Sequence, residues 1–186
     1  MGFQQQWTVR GVNAVLKGLQ ATGLVAGHFD VERMEQDAAS STGIADPGPA
    51  RYREPLQRLC QDYTTDRELT PLGRAICRGM LVHLLENRRK VFAALRATPS
   101  IAEQPITRPL FVLGLPRTGT TLLFNLLSQD PACRPLLFWE SMAPCPAPHP
   151  DTRTTDPRIA QAKKTVASMY RAVPELKGIH EFQADG

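Results

Sequence analysis

Pro109-Leu110-Phe111-Val112-Leu113-Gly114-Leu115-Pro116-Arg117-Thr118-Gly119-Thr120-Thr121 is the stretch on which the reading of this chain turns. Residues 109–115 form a short, unbroken apolar run, the pattern of a central parallel strand buried on both faces. A glycine-bounded turn follows, then an apolar helical segment carrying Leu122, Leu123, Leu126 and Leu127. Strand, glycine-rich turn and helix is an arrangement that cradles phosphates, because turn amides and the positive end of the helix dipole converge where acceptors are missing. From Gly114 to Thr121 the spacing fits G-x-x-x-x-G-K-[ST] at every position but one. Thr120 stands where a nucleoside triphosphatase carries its lysine, and the cation lies three places earlier, at Arg117. That lysine bridges the β- and γ-phosphates of ATP or GTP, so its replacement argues against triphosphate hydrolysis. The bland reading of the same stretch is a plain strand-turn-helix connection without a ligand.

On the N-terminal side the chain reads as helices. Val9, Val12, Val15, Leu16 and Leu19 recur at helical spacing between Trp7 and Leu24, with Gly23 as a stop. Residues 40–50 are dense in turn formers, and Tyr52 to Tyr63 reads as a short amphipathic helix. The strongest helix starts at Thr70-Pro71, an N-cap followed by proline at the first helical position. Leu72, Ile76, Met80, Leu84, Val91 and Leu95 mark one face, widened by Leu81, Leu85 and Phe92, before Thr98-Pro99 ends it. Arg88-Arg89-Lys90 in its second half reads as a solvated face.

On the C-terminal side, residues 131–157 hold seven of the sixteen prolines, so that stretch reads as loop around a short strand, Leu136-Leu137-Phe138-Trp139. Asp156-Pro157 opens a further helix through Ile159, Ala162, Val166, Met169 and Tyr170, closed by Pro174. A last extended piece runs from Ile179 to Phe182. The fold class expected is α/β: a parallel sheet core flanked by helices over residues 106–186, preceded by a mainly helical region, 1–105. Only 77 residues follow Pro109. At roughly 30 residues per βα unit, the sheet is expected to be incomplete in this chain.

Composition narrows the function classes. The chain has 186 residues, 42% hydrophobic and 22% charged, enough for a packed core. Its net charge of +4 is shared equally by the parts before and after residue 105, which suits an anionic ligand and gives no nucleic-acid stripe. No apolar run approaches the roughly 18 residues of a membrane span. Cys60, Cys77, Cys133 and Cys145 contain no C-x-x-C pair, which argues against a zinc site or a dense disulfide framework. The N-terminus carries neither a secretory pattern nor a myristoylation signal, so a cytoplasmic setting is expected.

The loop Leu115-Pro-Arg-Thr-Gly-Thr-Thr-Leu-Leu resembles the 5′-phosphosulfate-binding loop of sulfotransferases, specifically a bacterial branch with Pro-Arg-[Ser/Thr]-Gly-Thr-Thr. Thr70-Pro-Leu-Gly-Arg, Asn87-Arg-Arg, Ile106-Thr-Arg-Pro, Trp139-Glu140, Asp156-Pro-Arg-Ile and Gly178-Ile-His-Glu extend the resemblance over residues 52–186. It implies a P-loop-type core that takes 3′-phosphoadenosine 5′-phosphosulfate as sulfuryl donor, needs no metal, and passes the group to a small-molecule, carbohydrate or lipid acceptor. Arg117, Thr118, Gly119, Thr120 and Thr121 match the donor-binding positions. Arg117 is implied to steady charge on the bridging oxygen. The resemblance also implies a histidine base some sixty residues after the loop cation, and His180 matches that place; imidazole titrates near neutrality, which suits a general base. Glu140 is the alternative base, as in some carbohydrate sulfotransferases, or else a structural partner beside Trp139. His28, His83 and His149 have no supporting neighbours.

The family's 3′-phosphate contacts lie beyond the catalytic histidine, past Gly186, so the chain is expected to be the N-terminal part of a longer enzyme and inactive alone. Two other classes stay open. One is a nucleotide kinase or hydrolase with an aberrant loop, which would prefer ATP with Mg²⁺; the other is a non-catalytic interaction protein with no adenosine-nucleotide affinity.

Overall fold

A computed structural model describes residues 7–21, 28–66, 68–115 and 118–179. The chain divides into two compact units, Met1–Ala97 and Thr98–Gly186.

In the first unit α1 (Trp7–Ala21), α2 (Val31–Thr42), α3 (Arg53–Thr65) and α4 (Pro71–Ala97) gather around α4. Local chemistry sets the ends. Thr70 Oγ1 accepts a 3.1 Å hydrogen bond from the Gly73 amide, and Pro71 opens α4, as the sequence predicts. Asn13 Oδ1 of α1 accepts from the Leu72 amide at 2.9 Å, occupying a second orphan donor of the same turn. Gly23 and the rest of that expected stop lie outside the described residues. Helix α2 has no counterpart in the sequence expectations: only Val31, Met34 and Ala38 are apolar and buried along it, a pattern too sparse to stand out. It is fixed by its ends, with Asp30 Oδ1 accepting from the Arg33 amide at 3.0 Å and Gly43 at φ 69° closing it. The loop expected from residue 40 therefore begins at Gly43. Phe29, Val31, Met34, Ala38, Cys60, Leu81 and Leu85 make one core.

The buried face of α4 is not the one its apolar pattern names. Ile76, Met80 and Leu84 are 49–59% exposed. The stripe that meets the rest of the unit is Arg74, Arg78, Leu81, Leu85, Arg89, Phe92 and Arg96, spaced by three or four residues. Hydropathy hides it because its arginines are satisfied by named acceptors. Arg74 donates to the Tyr63 carbonyl, Arg78 pairs with Asp37, and Arg96 with Asp46. Arg89, 3% exposed, donates to the carbonyls of Glu35, Ile44 and Ala45. Arg88 stacks over Tyr52 and Phe92, 4.2 and 4.6 Å from their ring centres. The solvated reading of Arg88-Arg89 is thus corrected: these guanidinium groups tie the 44–49 loop to the helices.

The second unit runs α5 (Ser100–Glu103), an extended stretch 105–115, α6 (Thr120–Leu127), an extended stretch 133–137, α7 (Phe138–Met142), α8 (Pro157–Ala172) and α9 (Leu176–Ile179). Asp156 caps α8 through the Arg158 amide with Pro157 at N1, as expected. Trp139, Ala162 and Val166 are its buried core, packed with Leu137, Phe138, Ile159 and Tyr170.

Three strand expectations are corrected among the described residues. Residues 109–115 are extended but belong to no sheet; Leu110, Phe111, Leu113 and Leu115 are 66–88% exposed rather than buried on both faces. A parallel strand is buried only when neighbouring strands and helices cover it, and no described segment does so. The expected strand 136–139 turns into α7 at Phe138, because the Glu140 carboxylate reaches back to the Leu137 amide at 2.8 Å. Residues 176–179 form a helical turn where an extended piece starting at Ile179 was expected; its remainder lies outside the described residues. The helices of the expected α/β core are therefore present, and its parallel sheet is not.

Candidate functional site

The head of α6 brings together four of the positions singled out by sequence. Gly119 adopts φ 87°, a conformation in which L side chains are strained, and turns the chain straight into the helix. It supplies no side-chain cap, so among the described residues the amides of Thr120, Thr121 and Leu122 have no acceptor. Thr118 Oγ1 donates to the Leu115 carbonyl at 2.7 Å, closing the turn across its base. A Cβ on Gly114 would come within 2.7 Å of Thr120 Cγ2 and 2.8 Å of Thr118 Oγ1, so the turn closes this tightly only over glycine. The result is a concave backbone with uncapped N–H groups at a helix N-terminus, the geometry that accepts a phosphate. Arg117 lies outside the described residues, as does His180.

Glu140 sits elsewhere in the unit and is only 2% exposed. Its oxygens accept from Arg134 at 3.0 Å, from Arg153 at 2.9 and 3.3 Å, and from the Leu137 amide. None of these donors belongs to the 114–121 turn. Burial alone would raise its pKa, but the hydrogen bonds from Arg153 and Leu137 and the charges of Arg134 and Arg153 hold it below the ordinary value. Arg153 and Arg134 escaped the sequence reading, since nothing in their spacing marks them as partners of Glu140. Next to this cluster Arg158 stacks on the fully buried Trp139, 4.8 Å from the ring centre, while Asp156, hydrogen-bonded to Arg158, is lowered to about 2.

Of the other histidines, His83 bonds Asn87 within α4 at 3.2 Å, His149 caps its own turn through the Asp151 amide, and His28 is exposed. Among the described residues no group of His, Cys, Asp and Glu is placed to hold a metal ion. No described helix is long and apolar enough to cross a membrane.

A sequence profile for the sulfotransferase family matches residues 109–186. Two solved structures resemble the chain. The crystal structure of sulfotransferase STF9 from Mycobacterium avium is 33% identical with a TM-score of 0.71, over 81% of this chain and 38% of its own. That of sulfotransferase STF1 from Mycobacterium tuberculosis is 33% identical with a TM-score of 0.68, over 78% of this chain and 40% of its own. The 186 residues therefore span about two fifths of these relatives. No curated protein matches the chain.

Proposed function

The chain belongs to the sulfotransferase family, and from that premise we propose that its 114–121 turn binds the 5′-phosphosulfate end of 3′-phosphoadenosine 5′-phosphosulfate. The donor supplies the sulfuryl group that passes in line to an acceptor hydroxyl or amine. The observation that carries the proposal is Gly119 at φ 87° heading a helix whose first amides lack acceptors. Those amides, with the hydroxyls of Thr120 and Thr121, hold the 5′-phosphate, while Thr118 braces the turn. Arg117 takes up the negative charge that grows on the bridging oxygen as the bond to sulfur breaks; positioning and charge stabilisation carry such a reaction.

His180 is the proposed base that accepts the proton of the attacking hydroxyl. What supports it over Glu140 is the Glu140 environment: a carboxylate held below its ordinary pKa by two arginines accepts a proton poorly near neutrality. The 3′-phosphate contacts are assigned to sequence beyond the two fifths spanned here, so the proposed activity is that of the longer enzyme.

Titration calorimetry with 3′,5′-adenosine bisphosphate in EDTA tests the donor site. Heat of binding is expected without metal, and Arg117→Ala should weaken it about tenfold to a hundredfold, the scale of one charge-assisted hydrogen bond. Unchanged affinity in that variant removes Arg117 from the site, and tighter binding of ATP with Mg²⁺ overturns the donor assignment. In the longer enzyme His180→Ala should lower turnover by about a hundredfold or more with donor affinity intact. A larger loss in Glu140→Gln than in His180→Ala transfers the role to Glu140.

A further inference from the structure

A groove of about 660 Å³ runs through the second unit between the two extended stretches. Phe124 and Leu127 of α6 floor it; residues 105–112 line one wall and residues 132–135 the other. Both walls carry open backbone. Among the described residues no N–H or C=O of residues 105–114 has a hydrogen-bond partner. On the facing stretch, Pro135 gives its carbonyl to Arg153, and Leu137 gives its amide to Glu140 and its carbonyl to Ser141. The N–H and C=O groups of Arg134 and Leu136 stay unpaired. In an extended chain alternate residues present both groups to the same side, so residues 134 and 136 form one strand edge.

An apolar floor between two unpaired backbone edges selects its occupant. A helix satisfies its own backbone and leaves both walls unpaired, and a small apolar ligand offers them nothing. An extended polypeptide segment pairs with both. We propose that this groove receives a β-strand from the part of the sulfotransferase sequence that these 186 residues do not span, which is about three fifths of the length of the solved relatives. The strand sets apolar side chains at every second position against Phe124 and Leu127 and has no proline where its amides meet the walls. Docking turns the exposed run 109–115 into an inner strand of a sheet and stiffens the turn that follows it. The proposal deepens the family reading, since the partner is the remainder of the same core.

The test is amide hydrogen exchange on the 186-residue chain, alone and after addition of the C-terminal three fifths of the Mycobacterium avium sulfotransferase as a separate polypeptide. Alone, the amides of Phe111, Val112 and Leu113 are expected to exchange at near-unprotected rates. In the complex they should slow by a hundredfold or more together with Leu136. Val112→Pro removes a wall amide and should abolish association while leaving the urea unfolding of the helical first unit unchanged. Association without protection of 111–113, or no association, overturns the proposal. Protection in the chain alone that rises with concentration, with a dimer in sedimentation, gives the groove to a second copy and overturns it too. Adenosine bisphosphate binding is read separately on the same samples. Protection without nucleotide binding upholds the groove and defeats the donor site, and nucleotide binding without protection does the reverse.

Discussion

The first unit is satisfied by its own residues, and the second is not. Residues 28–97 bury apolar side chains from three helices in one core and give every arginine on the inner stripe of α4 an acceptor. In the second unit the largest buried side chain is Trp139, held with Ala162 and Val166, while Phe111, Leu113 and Leu115 are 76–88% exposed. Leaving such a side chain in water forgoes roughly 1.5–3 kcal/mol each. The contrast teaches that an apolar sequence is a demand for a partner, and the partner must exist before burial follows. Where the partner is local, as carbonyls are for Arg89, even a cation is buried.

The largest effect is expected where that self-sufficiency is removed. Arg89→Met keeps most of the side-chain volume but strips the donors from the carbonyls of Glu35, Ile44 and Ala45. Each buried group left unsatisfied costs about 1–3 kcal/mol, so the first unit should lose about 3–5 kcal/mol in urea unfolding followed by far-UV circular dichroism. That is a large share of the stability of a domain this size. A loss under about 1 kcal/mol would show that the 44–49 loop is held by Arg88 and Arg96 instead.

The charged cluster of the second unit should respond less. Glu140→Ala leaves Arg153 and Arg134 without their carboxylate. Arg134 has a side chain 60% exposed and can turn to water, so the expected cost is about 2–3 kcal/mol, below that of a fully buried pair. The pH dependence has a definite sign. Burial raises the Glu140 pKa, but hydrogen bonds and nearby arginines lower it further, for a net value below the ordinary 4.5. Its contribution is complete above about pH 4.5 and is lost as the pH falls through the lower folded value. Glu35 behaves alike: burial raises its pKa, and Arg53 and Tyr52 hold it down overall. Both units should therefore weaken below pH 4.5, and Glu140→Gln should remove that dependence from the second alone.

What the sequence discloses follows the same division. Features settled within a few residues were legible: the Thr70 and Asp156 caps, the bounds of α4 and α8, and the glycine that heads α6. Features set by distant partners were not. The stripe of α4 that faces its unit is written in arginines whose acceptors lie up to 54 positions away, as Glu35 does from Arg89, and no periodicity of apolar residues reports it. The run 109–115 reads as a buried strand because its composition suits one, yet burial belongs to the assembly of strands around it. At the candidate site the turn was legible from Gly114 to Thr121, whereas Glu140 could not be sorted between base and structural partner until Arg134 and Arg153 appeared beside it.

The smallest expected effect is the most direct probe of the contrast. Leu113→Asn would be a severe change in a closed core, where placing a polar group among apolar ones and losing the packing costs several kcal/mol. In this chain Leu113 is 88% exposed and its backbone has no described partner, so the substitution removes no burial that the unit possesses. Its unfolding free energy should stay within about 0.5 kcal/mol of the parent, the range of ordinary surface changes. Lower binding of a hydrophobic dye and slower aggregation should accompany it, because an exposed apolar strand edge recruits other chains. The internal control is Leu85→Ala, a residue 5% exposed in the core of the first unit, which should cost about 2–4 kcal/mol under the same conditions. If Leu113→Asn costs as much as Leu85→Ala, the run 109–115 is already covered within this chain, and the distinction between a self-satisfied unit and an open one fails.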